Sequence, residues 1–184
     1  MFFKSIIQIA LMEGQPDLAQ KYIEDLAENK VWYDYEGQKE MIKQFMQAKI
    51  SLALKNYEEA LSDLNYLSIH SKLNDLNLEI DFRTMKLQLH YLLQQWEPGI
   101  SAMDAFRMYV SNNSELLTEN SIAILNWRLR WFRRLYRLGS SEVKSKSPKV
   151  KPKAIQKLID ELKADPRYRL KDWFLEQLRV LSCG

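Results

Sequence analysis

Between residues 128 and 138 the chain reads RLRWFRRLYRL, five arginines and three aromatic residues in eleven positions. A guanidinium is a planar fork that binds a carboxylate or phosphate through two parallel N–H bonds, and it stays charged at any physiological pH. Aromatic rings among the arginines would offer nucleic-acid bases a surface to stack on. These residue types suit an acidic protein segment, a nucleic acid or a membrane surface, and helical geometry separates the three. Advancing by about 100° per residue, Ile122, Leu125, Leu129, Phe132 and Tyr136 share one face, and Ile124, Trp127, Trp131, Leu135 and Leu138 share the next. Together they cover roughly 200°, the arc of a helix packed against two neighbours. A membrane-surface helix would carry one apolar face and be free to leave the fold. The aromatics are therefore expected in the core, with Arg130, Arg133, Arg134 and Arg137 filling the remaining arc and Arg128 on the border between the two apolar faces.

Other chemistry is quickly bounded. His70 and His90 have no neighbouring Cys and no histidine four residues away, and Cys183 has no partner for a disulfide or a thiolate metal site. No glycine-rich phosphate loop and no G-x-S-x-G elbow occurs. His70 reads as a helix-terminal residue, His90 as one residue of a polar face, and the acid pairs Glu58/Glu59 and Asp160/Glu161 as capping and solvating groups. No catalytic residue, metal site or cofactor is expected.

The elements that must position the arginines follow from composition and period. In 184 residues there are only five Gly and five Pro, and 46% of the chain is hydrophobic, which leaves few residues for the turns of a sheet protein. Apolar residues recur at three and four, which predicts about nine helices near 2–13, 16–29, 37–55, 57–71, 75–95, 97–112, 115–138, 152–164 and 168–181. The longest stretch without a charged side chain, Leu87 to Trp96, is about half a membrane span. The apolar start is broken by Gln8 and closed by Glu13 with no small-residue cleavage site, so neither a signal peptide nor membrane association is expected. With one cysteine, the expected location is cytoplasmic.

The net charge of +3 conceals an asymmetry. Residues 1–120 hold 11 Lys/Arg and 18 Asp/Glu, a balance of −7, whereas residues 121–184 hold 16 and 6, a balance of +10. A basic end on an acidic body orients an acidic partner as well as attracting it.

A turn pattern recurs along the chain. KNYEEALSDLNYL places Tyr57, Ala60, Leu61 and Leu64 as QWEPGISAMDAF places Trp96, Gly99, Ile100 and Met103, 39 residues later. GQPDLAQKYIEDL, with Ala19 and Ile23, and PKAIQKLIDELKADP, with Ala154, Ile155, Leu158, Leu162 and Pro166, extend the series. A small residue early in the second helix of a hairpin lets the first approach closely, and the aromatic before it plugs the turn. This pattern resembles the tetratricopeptide repeat family over nearly the whole chain, best at LALKNYEEAL, residues 52–61. The family's Trp-x-x-Leu-Gly signature is absent, with Gln44, Gln47 and Ala48, then Arg83, Lys86 and Leu87, at its places, and units near 40 residues exceed the family's usual length of about 34. The resemblance implies a single all-α domain of about three and a half to four antiparallel helix hairpins, stacked as a right-handed α-solenoid.

GSSEVKSKSPKVKPK, residues 139–153, reads as a mobile basic insertion within the last repeat, and residues 168–181 as a helix capping the stack through Leu170, Trp173, Phe174, Leu178 and Leu181. At the other end Phe2, Phe3, Ile6 and Ile7 lie among apolar residues that spread round the first helix, which suits self-association or further repeats upstream in a longer protein. The function expected is a non-catalytic scaffold or adaptor that binds an acidic protein or peptide through Arg130, Arg133, Arg134, Arg137, Lys149 and Lys151. The alternatives are binding of nucleic acid or another phosphate-rich ligand through residues 128–153, which the acidic body disfavours, and an oligomerising structural module.

Overall fold

The computed structural model describes residues 2–28, 39–70, 76–144, 152–165 and 170–183. Among them the chain is all-helical: α1 (Phe2–Met12), α2 (Pro16–Glu28), α3 (Lys39–Ala53), α4 (Tyr57–His70), α5 (Leu76–Leu92), α6 (Trp96–Asn112), a 3-10 turn at Ser114–Leu116, α7 (Glu119–Lys144), α8 (Pro152–Ala164) and α9 (Lys171–Cys183). Two compact units divide the chain, Met1–Leu93 and Gln94–Gly184.

One turn geometry recurs. Gly14, Lys55 and Gln94 all adopt a left-handed backbone, with φ of 69°, 65° and 55°, at positions 41 and 39 residues apart. After α1 the Gln15 N–H donates to the Ala10 carbonyl at 2.9 Å and the Gly14 N–H to that of Leu11 at 3.2 Å. After α3 Asn56 and Lys55 repeat both bonds, to Ser51 at 2.8 Å and to Leu52 at 3.1 Å. This is a Schellman ending, which satisfies helix-terminal carbonyls and reverses the chain within three residues. Five residues past each left-handed position stands a buried small residue, Ala19, Ala60 or Gly99, each donating its N–H four residues back to Gln15, Asn56 or Gln95.

In the first unit α1 packs on α2 and α3, α2 on α3, α3 on α4, and α4 on α5. Ala19, Ala48 and Ala60 are completely buried among Ile7, Ile23, Phe45, Ile50, Leu64 and Leu67. Within this core, small residues set how closely helices approach, and larger apolar residues fill what remains.

In the second unit the α6–α7 hairpin closes through two reciprocal contacts. A Cβ at Gly99 would collide with the Tyr136 ring, and one at Gly139 would collide with the Trp96 ring. Trp96 and Tyr136 meet edge to face with centroids 5.9 Å apart. Early α6 therefore lies over late α7, and the two helices run antiparallel.

Three sequence expectations change here. The stretch expected to be mobile from residue 139 begins instead as helix, because α7 continues to Lys144 with Gly139 buried inside it. Residues 145–151, including Lys149 and Lys151, lie outside the described residues. Helix α7 also starts later than expected, capped by Thr118, whose Oγ1 accepts the Ser121 N–H at 3.2 Å. Finally, Ala154 is exposed, and Ile155 takes the buried fourth position of α8 that Ala19, Ala60 and Gly99 take in theirs. A branched side chain there holds a neighbouring helix away, and α9 packs on both α7 and α8.

Two stability outcomes follow from these contacts. Lys55→Gly removes the steric cost of a left-handed non-glycine residue and is expected to raise the urea-unfolding free energy by up to about 1 kcal/mol. Gly99→Ala is expected to lower it by about 1–3 kcal/mol despite the better helix propensity of alanine. Adding Tyr136→Leu should recover part of that loss, and additive effects of the two changes would refute the contact.

Candidate functional site

Helix α7 is held by its apolar faces. Trp131, Phe132 and Leu135 are fully buried, Leu125, Trp127, Leu129 and Tyr136 nearly so. Phe174 of α9 contacts Phe132, Trp127 and Trp131 with centroid distances of 5.0, 5.7 and 6.4 Å, and Trp173 lies 5.5 Å from Phe132. These rings form the core between α7 and α9 and are not a stacking platform. The Trp131 indole nitrogen is buried with no hydrogen-bond partner among the described residues.

With those faces packed, the arginines emerge along one side. Arg130, Arg133 and Arg137 are exposed, Arg134 is half-buried and Arg128 is buried at the border between the apolar faces. Arg130, Arg133, Arg134 and Arg137 line an open cleft of about 270 Å³ with Asn126, Leu129 and, from α6, Arg107. The volume is small for an organic cofactor and ample for side-chain carboxylates.

The arginines are not equivalent. Arg134 Nη1 donates to Glu161 Oε1 of α8 at 2.6 Å, and its guanidinium lies 4.7 Å from the centre of the Trp131 ring. Arg130 Nη2 lies 3.6 Å from Asp165 Oδ2, which also accepts the Trp127 indole N–H at 2.8 Å. Lys171 Nζ donates to the Lys163 and Asp165 carbonyls at 2.8 Å each, closing the C-terminal end of α8. Arg130 and Arg134 thus tie α7 to α8. Arg133 and Arg137 meet no carboxylate among the described residues, and Arg107 has only the exposed Asp104 at 3.8 Å. Two like charges one turn apart repel modestly in the free protein, a cost that a bound anion removes.

The acids that reach Arg130 and Arg134 come from α8 and the residue after it, not from the acid-rich first 120 residues. Sequence reasoning missed Arg107, Asn126, Glu161 and Asp165 as neighbours of this arc. A signal for the last two existed. Glu161 lies in the last turn of α8 and Asp165 just beyond it, where the helix dipole disfavours negative charge, so a cation was needed nearby.

Elsewhere His70 ends α4, and His90 is buried, where a residue on a polar face was expected. Burial, reinforced by Glu59, raises the Asp63 carboxyl above its ordinary range; burial and Arg83 lower the Lys86 ammonium. Neither group lines the cleft. Among the described residues no cluster of three His, Cys, Asp or Glu could hold a metal, and no helix is long and apolar enough to cross a membrane. Compared with models of protein families, with curated proteins and with solved structures, the chain finds no match.

The division of the arginines predicts a difference in stability. Arg134→Ala is expected to cost about 1–1.5 kcal/mol through loss of the ion pair and of the contact with Trp131. Arg133→Ala should stay within about 0.5 kcal/mol of the parent. Chemical denaturation of the two variants, compared at one salt concentration, checks the order.

Proposed function

We propose that the chain is a non-catalytic, cytoplasmic scaffold of the tetratricopeptide-like kind, its hairpins stacked as a right-handed α-solenoid, and that it binds an acidic segment of a partner protein at the arginine cleft. The carrying observation is the pair Arg133 and Arg137, exposed one turn apart beside Arg107 with no carboxylate partner among the described residues. The recurring turn at Gly14, Lys55 and Gln94, with its buried small residue, supports the repeat reading. Guanidinium forks recognise carboxylates by geometry as well as charge, and the surplus of acid in residues 1–120 opposes a long polyanion.

Binding of a fluorescent poly-glutamate peptide tests this reading. Arg133→Ala/Arg137→Ala should weaken binding at least about tenfold while the helical spectrum and melting temperature hold. Mixed-sequence oligonucleotides should bind more weakly than the peptide. If they bind more tightly, with affinity falling on the order of 10³-fold between about 50 and 200 mM salt, the protein is a nucleic-acid binder and the proposal fails.

A further inference from the structure

The chain already docks two carboxylates from the end of one helix on its arginine arc. Glu161 in the last turn of α8 and Asp165 just beyond it, whose N–H still donates to the Glu161 carbonyl at 3.2 Å, meet Arg134 and Arg130, four residues apart on α7, and the crossed order makes the two segments antiparallel. Matching works because residues at i and i+4 on any α-helix project from one side about 6 Å apart along the axis, so two carboxylates reach two guanidinium groups without distorting either helix.

Arg133 and Arg137 repeat that spacing. They lie about 60° further round the same helix, along the cleft that Arg107 borders from α6. Leu129 lines the same cleft but is almost fully buried, so what the cleft offers a ligand is charge. An extended strand brings side chains to one side only at every second residue, about 7 Å apart, whereas the pairing already present in the fold, Glu161 and Asp165 on Arg134 and Arg130, has the i, i+4 spacing of a helix.

We infer that the partner's acidic segment is itself a helix, and that it sets carboxylates at i and i+4 on Arg133 and Arg137 as Glu161 and Asp165 are set on their neighbours. Arg107 adds a third contact from the facing helix. The inference rests on the acidic-partner reading and adds the ligand's conformation and spacing.

Two alanine-rich helical peptides of about 20 residues, long enough to hold helix alone, provide the probe. Both carry two glutamates, at i and i+4 in one and at i and i+2 in the other, where they fall on different faces. Anisotropy titrations against the full chain should show the first binding about tenfold tighter, a preference lost in Arg133→Ala/Arg137→Ala. Arg133→Lys/Arg137→Lys keeps charge and side-chain length, so an intermediate affinity with an unchanged melting temperature would attribute the loss to the forks and not to unfolding. Equal affinities that both fall in the alanine variant would overturn the helical spacing and leave an acidic partner standing. Absence of binding by both peptides, or tighter binding of a mixed-sequence oligonucleotide, would overturn the spacing and the acidic partner together. Concentration-dependent dimerisation abolished by the alanine variant would name a second copy as the occupant and overturn the inference.

Discussion

Two glycines set the geometry on which the candidate site depends. Gly99 lets the Tyr136 ring lie against the α6 backbone, and Gly139 does the same for Trp96 against α7. The rings occupy the space where a Cβ would stand, so both the separation of the helices and the rotation of α7 about its axis are constrained. That rotation then fixes the rest of α7. Phe132, Trp131 and Trp127 turn to Phe174 of α9, and the basic arc is left facing outward beside Arg107. A helix turned by one residue, about 100°, would carry arginines into the aromatic core, where an unpaired charge is prohibitively costly.

Charge is distributed over this frame in two ways. Arg130 and Arg134 hold the end of α8 through Asp165 and Glu161, and Asp165 is held in turn by the Trp127 indole. Arg133 and Arg137 form an equivalent pair beside them. Ion pairs at half-exposed positions add little to stability, so the α7–α8 contact relies on geometry: a stacked guanidinium, a shared carboxylate, and a lysine closing the helix end. The same weakness suits recognition, because forks that are poorly compensated within the fold gain more when an external carboxylate arrives.

The repeated turn shows how far the periodic pattern extends. At Gly14, Lys55 and Gln94 the backbone reverses in one way, and the small residue five positions on lies buried. Two of the three left-handed positions hold residues other than glycine, so tertiary context maintains the turn against a local steric penalty. At α8 the pattern stops. Ile155 fills the place of the small residue, and α9 packs on both α7 and α8.

Much of this was legible in the sequence. A repeat of three and four in apolar residues, few glycines and prolines, and clear turn signals determined the helices and most of their limits, because amphipathic period and chain reversal are local properties. Local periodicity also determined which face of α7 is basic. It could not determine how far α7 runs, since a glycine and two serines at 139–141 read as a break and persist in helix where Trp96 packs on Gly139. Nor could it determine which arginines are already paired. Arg133 and Arg134 are neighbours of one type in one helix, and only the three-dimensional path that brings Glu161 to Arg134, 27 residues away, distinguishes them. That path depends on long-range packing of aromatic rings, and a contact between distant segments leaves no period in the chain to be read.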